Sequence, residues 1–237
     1  MTETGRSTMA DWLDLHGLTA NDCVKILADH HPKPPSRAAQ PAAISFKGAE
    51  LWDMIGEVLA ADLPELGPAI ENVRTTTVTE FTPDKTKYPR PFTIHDIGDG
   101  RIYVSCPCEG TTSDIVRLAH EYGHAVQITA SKAHSMPPVL REVCAYICES
   151  LTARSPVWEK WHLTCSLLDQ VQANTQRDLG PLTAKLQESL AESGAQYDYD
   201  WNYPIARCLA LNLLATGQQS TLAALFRGDI SLSALTN

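Results

Sequence analysis

Apolar and polar positions in this chain repeat mainly with the period of an α-helix. Over residues 111–128, Ile115, Leu118, Ala119, Tyr122, Ala125 and Val126 form one stripe at about 100° per residue, while His120 and His124 fall on nearly the opposite side. Thr111, Thr112 and Ser113 offer N-cap oxygens, Asp114 complements the positive end of the helix dipole, and no proline interrupts the run. Residues 139–151 read as the next helix, with Pro138 suited to its start. Leu51, Trp52, Ile55, Val58 and Leu59 mark a core helix over 48–61. Shorter helices are expected from Thr19 and over 157–173, 181–193, 205–216 and 220–226.

Other segments break this period. β-branched residues crowd 73–81 and predict a strand. Residues 92–95 and 101–105 flank the turn-rich stretch 96–100, which can close an antiparallel hairpin. The proline-rich run 30–37 reads as a linker. The expected fold class is therefore α+β and mostly helical, with a small antiparallel sheet beside the 111–128 helix. Residues 1–43 are expected to form an N-terminal helix and Pro-rich linker, and 44–237 the main domain.

The candidate chemistry lies on the 111–128 helix. His120-Glu121-Tyr122-Gly123-His124 is an HExxH motif. Two histidines four apart project from one helical face and can grip one Zn²⁺ through ring nitrogens. Glu121 then flanks the metal, where a carboxylate can take a proton from an acidified water and pass it to a leaving amine. A catalytic zinc needs a third protein ligand, and the following helix offers Glu142 and Glu149. Seven apart, they share a face at a rise of about 10 Å, so one ion does not easily engage both. Glu142, near the start of its helix, is the nearer candidate, and Glu149 is then placed to orient a ligand histidine through its other ring nitrogen.

Residues 110–115 and 118–126, followed by a helix with Glu142 and Glu149 seven apart, resemble the thimet oligopeptidase and oligoendopeptidase F family over roughly the second half of the chain. That resemblance implies a zincin-like metallopeptidase domain of the gluzincin type, a Zn²⁺ cofactor, a peptide or protein substrate, and Glu142 as the third ligand. The segment 197–206 is similar to the family's tyrosine-rich segment, whose hydroxyls stabilise the tetrahedral intermediate. Tyr203 aligns best and Tyr197 second. The chain departs from the family in a shorter interval between His124 and Glu142, and in carrying Gln127 where the family usually has a histidine.

Composition narrows the partners. A net charge of -9, with 28 acidic and 19 basic side chains and no basic stripe, argues against nucleic acid. No apolar run approaches the roughly 18 residues of a membrane span, and residues 1–17 lack the basic-then-apolar order of a secretory signal. A cytoplasmic location is the simplest expectation, although the polar start also suits a non-cleaved export signal. Seven cysteines, an odd number at spacings unlike a disulfide framework, are expected to be reduced thiols. His95 and His134 read as loop histidines rather than ligands. The function expected from these residues is zinc-dependent hydrolysis of peptide bonds with Glu121 as general base. Two rivals are a zinc amidohydrolase or deacylase acting on a small amide, and a zinc-stabilised interaction or effector protein whose hydrolysis has lapsed.

Overall fold

Two helices, one amphipathic and one buried on nearly every side, occupy the middle of the structure and dictate where everything else packs. The structure, a computed structural model, describes residues 7–28, 30, 40–96, 98, 100–192 and 194–236. In chain order the helices are α1 (Met9–His16), α2 (Ala20–Ala28), α3 (Gly48–Asp62) and α4 (Gly67–Thr76). Strands β1 (Val78–Glu80), β2 (Phe92–His95) and β3 (Ile102–Ser105) follow. Then come α5 (Thr112–Ala130), α6 (Pro138–Arg154), α7 (Thr164–Arg177), α8 (Thr183–Leu190), α9 (Asn202–Thr216), α10 (Gln219–Arg227) and α11 (Leu232–Leu235). The architecture is α+β and mostly helical. None of the helices among the described residues is long and apolar enough to cross a membrane.

The apolar stripe of α5 is wholly buried, and Tyr122 at its centre stacks near Trp52 of α3 (4.3 Å between ring centroids) and donates its hydroxyl to the Ile70 carbonyl of α4. On the other side of α5 runs α6, from Val139 to Cys148 almost entirely buried, with α9 packed against it in turn. A helix apolar around most of its circumference belongs in a core, and α6 is that helix here.

Gly123 makes the α5–α6 contact close. A Cβ at this position would lie 2.8 Å from the Ala145 Cα and 3.1 Å from the Cys144 carbonyl oxygen, so any side chain pushes the two helices apart. Gly123→Ala is expected to cost about 1–3 kcal/mol through overpacking, offset in part by roughly 1 kcal/mol of helix propensity. Urea unfolding of the metal-free chain measures this, and a variant as stable as wild type would mean that the helices have room to spare.

The three strands form one sheet in the order β1-β3-β2. β2 and β3 pair antiparallel, Thr93 opposite Val104, as their hairpin spacing predicts. β1 pairs with β3 in parallel, so the sheet is mixed rather than antiparallel. The strand expected over 73–81 is corrected too: α4 runs through Thr76, leaving only Val78–Glu80 extended. Thr75 and Thr76 stay helical because their hydroxyls bond back to the carbonyls of Glu71 and Asn72 at 2.8 Å, an outlet that β-branching alone does not reveal. Ile97 and Asp99 of the expected hairpin turn, and residues 31–37 of the expected linker, lie outside the described residues.

The segment expected as one helix over 157–173 is divided. A 3₁₀ stretch at Pro156–Trp161 ends at left-handed His162 (φ 57°), and α7 starts afresh at Thr164. A π-type turn at Asp178–Leu182 then carries the chain from α7 into α8. Pro181 has no N–H to give to the i−4 carbonyl, and the wider turn absorbs the break. Asp178 is fully buried there. At the N-terminus, α1 packs into the shared core: Trp12 is 2% exposed, donates to Asn202 Oδ1 at 2.8 Å and meets Trp201 edge-on.

Candidate metal centre

α5 presents its histidines because its cap fixes where the helix begins. Asp114 accepts the backbone N–H groups of Glu109 (2.8 Å) and Thr111 (2.9 Å), tying the entry loop to the first turn. From that start, the buried stripe faces α3 and α6 while His120 and His124 emerge half-buried one turn apart.

The two rings meet nearly perpendicular, with His120 Nε2 and His124 Nε2 3.1 Å apart. The Glu142 carboxylate closes the triangle: Oε2 lies 3.3 Å from His120 Nε2 and Oε1 lies 3.6 Å from His124 Nε2. Ligands at the usual zinc distances of about 2.0–2.1 Å in tetrahedral array stand about 3.3 Å from one another, which these separations match. Glu142 is 2% exposed, and its Oε2 is buried without a hydrogen-bond partner. A buried carboxylate oxygen facing two imidazole nitrogens calls for a shared proton or a cation. His120, His124 and Glu142 are also the one cluster among the described residues whose ligand atoms lie close enough to hold an ion.

Two further contacts set the ligands' orientation. His120 Nδ1 lies 2.7 Å from Glu149 Oε1. A carboxylate accepts, so Nδ1–H donates and Nε2 is turned to the centre. Tyr199 donates its hydroxyl to Glu142 Oε1 at 2.7 Å. Burial disfavours the Glu142 anion, but His124, His120 and the Tyr199 hydroxyl outweigh it and hold the carboxyl down at about 2. Burial pushes His124 down to about 4, leaving a neutral ring fit to ligate. For His120 burial also opposes charge, yet Glu142 and Glu149 together raise it well above the ordinary histidine value.

Glu121 points from the same helix to the β2 side, where Thr93 donates to its Oε2 at 2.7 Å. It is 6% exposed, and burial pushes it up to about 7 against the opposing pull of His120 and Thr93. A carboxyl poised near neutrality suits proton transfer at ordinary pH. His120, Glu121, Tyr146 and Tyr203 share a cleft of about 750 Å³, lined also by Arg90 and by Asn174 and Arg177 of α7.

The tyrosines divide differently from the expectation. Tyr203 lines the cleft. Tyr197 does not: its hydroxyl accepts from Asn202 Nδ2 at 3.1 Å and its ring meets Trp201 edge-on, in the same polar contact that holds Trp12. Tyr199 touches the ligand set instead. Its placement follows from a 3₁₀ turn at Tyr199–Trp201 capped by Asp198, a local device that residue spacing does not disclose. Arg207 was likewise beyond the motif, although a single arginine in the apolar run of α9 signals a buried partner. His95 and His134 are exposed and stand outside the cluster.

Comparison with protein-family models, curated proteins and solved structures finds no match to this chain.

Proposed function

We propose that this chain is a zinc-dependent peptidase in which His120, His124 and Glu142 hold the ion and Glu121 moves the proton. One observation carries the reading: three ligand atoms of HExxH-plus-glutamate type converge at 3.1–3.6 Å, beside the Glu121 carboxyl raised to about 7, and His120 and Glu121 line a cleft. Zinc held there would supply Lewis-acid polarisation of a carbonyl and a water of lowered pKa. Glu121 takes the proton of the attacking water and returns it to the departing nitrogen, with Thr93 fixing the carboxylate's direction. Tyr203, in the cleft, donates its hydroxyl to the carbonyl oxygen as charge develops there. Glu149 keeps the His120 ring from turning. β2 is an outer strand of the sheet and bears Thr93, so an extended peptide pairing with its outer edge would pass Glu121.

Incubation of the zinc-loaded chain with an unbiased peptide library, with and without chelator, tests this. Cleavage that chelator abolishes and added zinc restores is expected. A zinc-loaded chain that cleaves no peptide but hydrolyses small amides would replace the substrate class, and one that hydrolyses neither would leave a zinc-stabilised binding protein.

A further inference from the structure

Behind the His120–His124–Glu142 triad lies a buried charge cluster centred on an arginine that touches none of the three. Arg207 of α9 is 1% exposed, although α9 is otherwise apolar where it meets α6. Two edges of its guanidinium are engaged. Nε and Nη2 reach Asp178 Oδ2 at 3.0 and 2.9 Å, while Nη1 and Nη2 reach Glu149 Oε2 at 3.2 and 3.1 Å. The flat of the group lies over the Tyr146 ring, with Cζ 3.4 Å from its centroid, and that ring in turn lies 5.6 Å from the His120 ring. Glu149 gives its other oxygen to His120 Nδ1. The route from Asp178 to Arg207 to Glu149 to His120 is therefore continuous, each link a charge-assisted hydrogen bond between buried or nearly buried groups.

We infer that Arg207, held by Asp178, is a positioning residue for the metal centre: it locks Glu149 against His120 and so sets how tightly the centre grips its ion. The inference rests on the metal-binding reading of His120, His124 and Glu142. Three features separate it from a purely structural ion pair. Asp178 has a second cation, since Arg177 donates to its Oδ1 at 2.9 and 2.8 Å, so the arginine is not needed to neutralise it. Among the described residues Glu149 has no cation partner other than Arg207 and His120, so without Arg207 its Oε2 is buried and unheld. The stacking on Tyr146 needs a planar guanidinium, which makes lysine a poor substitute even though it retains the charge.

The experiment is a double-mutant cycle on zinc affinity in the full chain, read by competition with a chromogenic chelator. Arg207→Lys is expected to weaken zinc binding about 10- to 100-fold, the range for loss of a group that orients a metal-bound histidine. Glu149→Gln is expected to act similarly, and the double variant to be little worse than either single one, because the arginine acts through the glutamate. Effects that multiply, or unchanged affinity in Arg207→Lys, overturn the inference. Should Arg207→Lys not fold, Asp178→Asn, which loosens the arginine without removing it, must weaken zinc in the same direction by a smaller factor, and unchanged affinity there overturns it equally. The wild-type chain separates the two levels: if it binds no zinc, the reading of the centre fails and this inference with it, whereas tight wild-type binding with indifferent variants rejects Arg207 alone.

Discussion

Glu121→Gln is expected to fold, to take up zinc at the wild-type stoichiometry, and to turn substrate over about a hundred- to ten-thousandfold more slowly. Glu121 touches none of the three ligand atoms, since its own polar partner is the Thr93 hydroxyl. An amide oxygen accepts that bond as well as a carboxylate does, so the glutamine fits the same space. It also removes a buried charge that burial disfavours, which argues against any loss of stability. What glutamine lacks is basicity. The comparison is kcat of wild type and variant at equal zinc occupancy, and turnover within a few-fold of wild type would assign proton transfer to another group.

Glu142→Gln should instead lose the metal. The substitution keeps the shape but replaces the anionic carboxylate, whose two oxygens face the two Nε2 atoms, with a neutral amide, which the Tyr199 hydroxyl would then bond. If the three protein ligands share a binding free energy of roughly 10 kcal/mol, loss of one weakens zinc by on the order of a hundred- to a thousandfold. Glu149→Gln, as an orienting residue, should cost at most about 100-fold. Zinc affinity measured for both variants therefore ranks the two glutamates, and a larger loss at Glu149 would exchange their roles.

The parts of the site that were legible in the sequence are those encoded within one helix. HExxH and the apolar stripe opposite it are patterns contained within residues 115–126, and α5 carries both as expected. A place near the start of α6 favours Glu142 over Glu149, and the fold puts Glu142 against the Nε2 atoms of both histidines and Glu149 on His120 Nδ1. Groups brought from a distance were not legible. Thr93 arrives through the pairing of β2 with β3, Tyr199 through a 3₁₀ turn, and Asp178 through a π turn around Pro181. Each depends on a backbone irregularity or a long-range pairing that periodicity does not encode.

The same distinction holds for the fold. The long helices were readable because burial repeats along them, whereas the threonines at 75–77 pointed to a strand that α4 and its back-bonded hydroxyls overrule. Parallel pairing of β1 with β3 was not readable either, because nothing near β1 in sequence specifies its partner.

X-ray absorption at the zinc edge of the stoichiometrically loaded chain reads the ligand set itself. Two imidazole nitrogens and light oxygen scatterers at about 2.0–2.1 Å are expected, without sulfur. A shell at about 2.3 Å, the thiolate distance, or a spectrum lacking imidazole, would place the ion away from His120, His124 and Glu142 and leave the proposed chemistry without its centre.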